Sequence, residues 1–248
     1  MDVALGMLAF WPALALGSFV NVVAARVPLR RSVVRPRSAC MTCAAELAWY
    51  DNVPVFSYLL LRGRCRSCGE RISPLYPAVE LATAGLVAGC FVAFGLTGKA
   101  VVAAFACVVL VAISATDLTH RIVPNRIVIP AAAIVLLAQT ALQPSPEWAL
   151  GAFGAAAFLF VTALAYPAGM GMGDVKLALL LGALLGRLVA VGLMLGMLAA
   201  LVPSLVLLAR HGSAARKMGI PFAPFLALGA VLALFFGRPL LDAYLAAF

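Results

Sequence analysis

Gly169-Met170-Gly171-Met172-Gly173-Asp174-Val175-Lys176 is a glycine-broken polar stretch set between two long apolar runs, Leu150–Ala168 and Leu177–Leu185. Flanks of that kind place the Asp174 carboxylate at or near a lipid bilayer. An Asp at the centre of a membrane helix costs roughly 2.5–3.5 kcal/mol on insertion scales, so an acid kept there points to function. The three glycines loosen the backbone and let another chain come close. Working outward, one other Asp has a comparable setting. Asp117 closes the apolar run Ala100–Thr116.

The rest of the 248 residues supports a membrane reading. Hydrophobic residues make up 65% of the chain and charged residues 11%, with a mean hydropathy of +1.10. Soluble globular domains do not reach these values. Repeated apolar runs of about 17–25 residues indicate an all-α polytopic membrane protein. The net charge of +9 fits the positive-inside bias of such proteins, not nucleic-acid binding. Met1-Asp2 lacks a basic region before the first apolar run, so that run reads as a retained helix and not a cleavable signal.

Eight crossings are expected: Val3–Ala25, Ala78–Leu96, Ala100–Thr116, Ile127–Leu142, Trp148–Ala168, a short Val175–Leu185, Leu188–Ala209 and Ile220–Phe236. Gly98-Lys99 and Gly186-Arg187 serve as tight turns, and Arg210–Gly219 as a basic loop. This count puts 15 of the 18 basic residues on one side. That side is the cytoplasm by the positive-inside rule, and it carries both Asp117 and Asp174. Three divisions follow: a first membrane helix over 1–25, a polar cytoplasmic insert over 26–77, and a membrane core over 78–248.

The insert holds half of all Lys and Arg and four of the six cysteines. Cys40-Met-Thr-Cys43 and Cys65-Arg-Ser-Cys68 are two Cys-x-x-Cys knuckles with 21 residues between them. Four thiolates so spaced suit a tetrahedral structural zinc ion. A pair of disulfides is the alternative, and a reducing compartment argues against it. A closed four-sulfur site would fold the insert and not hydrolyse anything. Cys90 and Cys107 lie in apolar segments and read as small buried hydrophobes.

Two carboxylates sharing one site hold a proton between them. One can act as general base on water while the other, protonated, polarises a scissile carbonyl. Asp117 and Asp174 are candidates for such a protease pair. Each has a plainer reading: Asp117 as a partner for Arg121 if its helix continues, Asp174 as a helix cap. A transporter using the two acids as a proton relay, and a non-catalytic zinc-bearing scaffold, stay open on the residues alone. His120 reads as an interfacial histidine and His211 as a solvated or headgroup-facing one. Glu80, at the start of the second crossing, can orient a substrate amine or pair with an insert arginine; the second is the simpler reading.

At these residues the chain resembles the type IV prepilin peptidases, the bifunctional leader peptidases and N-methyltransferases. The resemblance runs through Gly17–Val23, both knuckles, Tyr50–Cys65, Ile72-Ser73, Tyr76–Leu81, Gly171–Leu177 and Ile220–Phe225. It implies a GxGD-type intramembrane aspartyl protease of the bacterial inner membrane with Asp117 and Asp174 as its catalytic pair. It implies cleavage at the cytoplasmic face, after Gly, of the short basic leader of prepilins and pseudopilins. It further implies N-methylation of the new N-terminus with S-adenosylmethionine. No Gly-rich nucleotide loop is present, so the donor site carries no sequence signal of its own. In one departure, many relatives have Leu-Pro-Asp where this chain has Val123-Pro124-Asn125, which leaves Asp117 as the candidate partner of Asp174.

Overall fold

The computed structural model describes residues 2–166, 169–212 and 219–246. Outside the insert the described chain is mainly helical, and the α-helices are α1 (Asp2–Arg26), α2 (Phe56–Leu60), α3 (Leu75–Phe94), α4 (Gly98–His120), α5 (Asn125–Leu142), α6 (Glu147–Ala165), α7 (Met172–Leu185), α8 (Val189–His211) and α9 (Ala223–Ala246). Two isolated β-bridges, Ala39 with Glu46 and Arg64 with Arg71, are the extended pairing among the described residues.

Among the described residues, seven helical stretches are long and apolar enough to cross a membrane. The sixth, Met172–His211, has 40 residues. Unbroken, it would run about 60 Å, twice the hydrocarbon thickness. It is interrupted by a 3₁₀ turn at Gly186–Leu188, where Gly186 combines φ +55° with ψ −126°, a pair that suits only glycine. Divided there, it supplies α7 and α8, and the apolar helices number eight, as the sequence leads one to expect. The expected basic loop over Arg210–Gly219 falls largely outside the described residues, as does Ala168.

Two compact units make up the chain, Met1–Thr119 and His120–Phe248. In the first, α1 and α3 run antiparallel. Gly17 lets the helices meet: a Cβ there would lie 2.6 Å from the Glu80 Cα. Small residues at the contact substitute for a hydrophobic drive that lipid cannot supply. The C-terminal half of α4 adds Ala112 and Ala115 to a core with Val20, Ala24 and Val79. The α3–α4 turn falls on Gly95–Thr97, slightly earlier than expected. Gly95 adopts φ +63° and its N–H bonds the Phe91 carbonyl, while the Thr97 hydroxyl accepts the Ala100 N–H at 3.2 Å as an N-cap. Cys90 and Cys107 are buried, with their sulfurs 3.9 Å apart, and pack as the small hydrophobes expected.

In the second unit, α6 packs on α7 through Gly151 and Gly182, whose backbones touch. The α8–α9 contact uses Gly192, Gly196 and Gly229 in the same manner. Buried Gln139 of α5 donates its amide to the Leu184 carbonyl of α7 at 3.0 Å. The Trp148 indole closes the α5–α6 turn on the Gln143 carbonyl at 2.9 Å. An unpaired polar group would be expensive in an apolar interior, so these bonds pin helices that dispersion alone would leave free to slide.

Candidate active site

Asp174 is the third residue of α7, after a Gly171 with extended backbone (φ −86°, ψ 151°). Its Oδ2 accepts the Gly171 N–H at 3.2 Å. That is half of a capping box; glycine has no side chain to return the bond. The positive end of the helix dipole faces the same carboxylate. Gly173 brings this turn against Val123, whose Cβ would lie 2.9 Å from a Cβ at 173. Lys176 donates to the Asn125 Oδ1 at 2.9 Å. Asn125, the position where this chain departs from many relatives, therefore anchors the lysine that follows the glycine stretch.

Asp117 lies in the last turn of α4 and is 7% exposed. The helix stops at His120, and Arg121 takes a left-handed φ of 55°. Asp117 belongs to the first unit and Asp174 to the second, and each is placed here within its own unit.

In the insert, the sulfurs of Cys40, Cys43, Cys65 and Cys68 lie within 4.8 Å of one another and could hold a metal ion. The two knuckles repeat one backbone design. Cys40 N–H bonds the Ala45 carbonyl and Ala44 N–H bonds the Cys40 carbonyl; Cys65 with Glu70, and Gly69 with Cys65, do the same. The donor set also fits a cation electrically. The backbone N–H groups of Cys43 and Thr42 bring the Cys40 thiol down to about 6. At Cys68 the Glu70 N–H pulls the other way but is outweighed by burial and the three neighbouring sulfurs, which push that thiol up to about 12. Four thiolates this close repel each other unless a divalent cation sits among them.

The repeat has one flaw. Gly69 sits at φ +73°, whereas its counterpart Ala44 sits at φ +57°. A left-handed alanine costs roughly 1–2 kcal/mol. Ala44→Gly is therefore expected to stabilise the insert by about 0.5–1 kcal/mol after the added freedom of the unfolded chain is deducted. A higher thermal unfolding midpoint for the variant checks this; an unchanged or lower midpoint refutes it.

Glu80 behaves differently from the simpler expectation. It is 8% exposed, and its Oε2 accepts the Val55 backbone N–H at 2.7 Å in place of an arginine. Among the described residues the insert arginine that pairs with an acid is Arg66, which grips Asp51 in a two-point bond at 2.7–3.1 Å; the carboxylate beside it raises the guanidinium further above its ordinary value. Sequence reasoning missed both arrangements.

Comparison with known proteins gives the same chain-wide picture. A model of the bacterial peptidase A24 N-terminal domain matches residues 12–94. A model of the type IV leader peptidase family matches residues 104–236, more than half of the chain. The chain belongs to the type IV leader peptidase family. It is 36% identical to a prepilin leader peptidase/N-methyltransferase of Bacillus subtilis strain 168, with 94% of each chain covered. It is 41% identical to the protein of that description from Myxococcus xanthus, over 79% of this chain and 61% of the relative. The Pseudomonas aeruginosa counterpart is 33% identical over 94% of this chain and 90% of its own length. No solved structure gives a significant match. Family membership covers both halves, so Asp117 and Asp174 fall inside the peptidase region and the four cysteines inside the N-terminal one.

Proposed function

We propose that this chain is a leader peptidase and N-methyltransferase acting on prepilins and pseudopilins at the cytoplasmic face of a bacterial inner membrane. The observation that carries the reading is an Asp buried in the last turn of apolar α4, and a second at the glycine-broken start of α7, both within the matched peptidase region. Two crossings, α5 and α6, separate them in the chain, and an even number of crossings returns it to the same membrane face.

In this reading one aspartate takes a proton from water as the water oxygen attacks the scissile carbonyl carbon. The other, protonated, gives its proton to the carbonyl oxygen. Collapse of the resulting diol breaks the C–N bond, and a proton passes to the departing amine. Cys40, Cys43, Cys65 and Cys68 would hold zinc, which with four thiolates and no open position supplies a cross-link and not hydrolysis. S-adenosylmethionine, when bound, would supply the methyl group that the newly freed N-terminal amine receives. The insert over 26–77 then acts as a zinc-stapled module on a membrane core over 78–248.

A purified prepilin, mixed with the enzyme in detergent, tests this by intact mass. Wild type is expected to remove the leader and add one methyl group. With S-adenosylmethionine omitted, cleavage is expected to continue at the same rate, because the two reactions use different groups. Cleavage that stops without the donor would overturn that separation, and a folded enzyme that leaves the precursor intact would overturn the peptidase assignment.

A further inference from the structure

The methyl donor has no site in the sequence, and the first unit contains a cavity of about 440 Å³ whose wall includes Glu80 together with Cys40 and Cys65 of the sulfur cluster. It is bounded by α1, the start of α3 and the insert, entirely within that unit. Its size falls within the range of sites for small organic ligands, roughly 300–1,000 Å³. An amine alone would need far less.

Its charge is unusual for its surroundings. The insert is dominated by arginine, yet Asp51, Glu70 and Glu80, three of the chain's nine acids, line this one space beside Arg26 and Arg71. Asp51 is committed to Arg66, and Arg26 is committed to the carbonyls of Ser32 and Arg37. Glu80 is the lining acid that comes from the membrane helix. A carboxylate offers about four acceptor positions, and the Val55 N–H takes one of them.

The backbone around Glu80 is built to hold it. Val55 has φ 61° and ψ −50°, and Phe56 N–H closes on the Pro54 carbonyl at 2.6 Å. That is a γ-turn of the rare, strained hand, here on a β-branched residue. Strain of this kind persists where the surrounding structure demands it, often at ligand sites. Its result is a backbone N–H aimed at the Glu80 carboxylate. On the other side, Gly17 admits α1 close enough to set Ser18 beside the same carboxylate. Tyr58 and Tyr76 add aromatic surface to the wall. Aromatic faces attract a cation and stack on a flat base.

We infer that this cavity binds the sulfonium methyl donor, with the Glu80 carboxylate facing the cationic sulfur and amine end and the tyrosines beside the nucleoside end. The inference rests on the methyl-transfer reading above and adds the place where that transfer is supplied.

The test uses the full-length, zinc-loaded protein in detergent with S-adenosylmethionine carrying a labelled methyl group. Ultraviolet cross-linking followed by peptide mapping is expected to place the label between residues 18 and 80. Label confined to residues 120–248 would overturn the assignment without any variant being needed. Equilibrium dialysis is expected to show donor affinity falling roughly tenfold or more in Glu80→Gln, the scale of one lost charge-assisted contact. Val53→Trp, which fills the cavity without altering charge, is expected to abolish binding; leader cleavage by both variants serves as the fold control. Unchanged donor affinity in both would overturn the proposal. If wild type cleaves the leader but neither binds the donor nor methylates, the methyl-transfer reading fails, and this site fails with it. If wild type methylates and the label maps elsewhere, only this site fails.

Discussion

Asp174→Asn is expected to lower prepilin cleavage by a factor of about 10³ or more while the protein accumulates normally. General acid–base catalysis by a positioned side chain contributes typically 10²–10⁴-fold, and loss of one member of a shared-proton pair removes both roles. The choice of asparagine separates catalysis from architecture. In the structure the Asp174 Oδ2 accepts the Gly171 N–H at the start of α7. An amide oxygen can accept that same bond, so Asn keeps the cap. Ala cannot, and loss of a capping contact costs about 0.5–2 kcal/mol. A purely structural Asp174 would therefore give an active Asn variant and an impaired Ala variant. A catalytic Asp174 gives two inactive variants, the Asn one with wild-type stability. Asp117→Asn makes the same point inside α4, where the side chain is buried and an isosteric amide leaves the packing unchanged. The decisive data are initial cleavage rates beside a thermal melt of each variant. Asn variants that cleave at wild-type rates would remove both residues from the active site.

Stripping the metal, or Cys65→Ser, is expected to unfold the insert. Structural zinc in small modules contributes apparent free energies of about 10–16 kcal/mol near neutral pH, comparable with the whole stability of an ordinary domain. The insert has little else to hold it: two isolated bridges, a five-residue helix, and an exposed surface that includes Met41, Trp49 and Leu60. Cys65 is the buried member of the four. The insert also offers eight arginines to trypsin, the ninth, Arg35, being shielded by Pro36, so unfolding is easy to read. Tryptic cleavage between residues 26 and 77 should accelerate by a factor of about 100 or more, in step with loss of one zinc per chain. Methyl transfer should fall with it, because the cavity beside Glu80 is walled by the insert. Binding needs thiolates, so zinc should leave as the pH falls. A variant that holds no metal yet resists trypsin would refute the structural role.

Much of the fold was legible because a bilayer imposes one length on every crossing. The apolar runs gave eight helices, including the short one that became α7. Cysteine spacing gave a cluster of four sulfurs for a local reason, since each knuckle is closed by hydrogen bonds four and five residues apart. The candidate acids stood out because charge is rare in this chain.

What stayed hidden were relations between segments. The Glu80–Val55 bond spans 25 residues, the Lys176–Asn125 bond 51, and the Gln139–Leu184 bond 45. Hydropathy is a sum over one segment and carries no information about which partner a side chain meets. Glu80 looked ready for an arginine because the insert is full of them. Packing gave Arg66 to Asp51, and a strained turn gave Glu80 a backbone N–H instead.

By itself, then, the sequence determined the membrane class, the number of helices, the cysteine cluster and the acids worth testing. These depend on composition, length and short spacing, which water and lipid read directly. The tertiary structure decided which glycines bring helices together, where α7 ends, what Glu80 and Asn125 bind, and that a cavity lies between α1, α3 and the insert. Those depend on shape complementarity between distant segments, which exists only once the helices have packed.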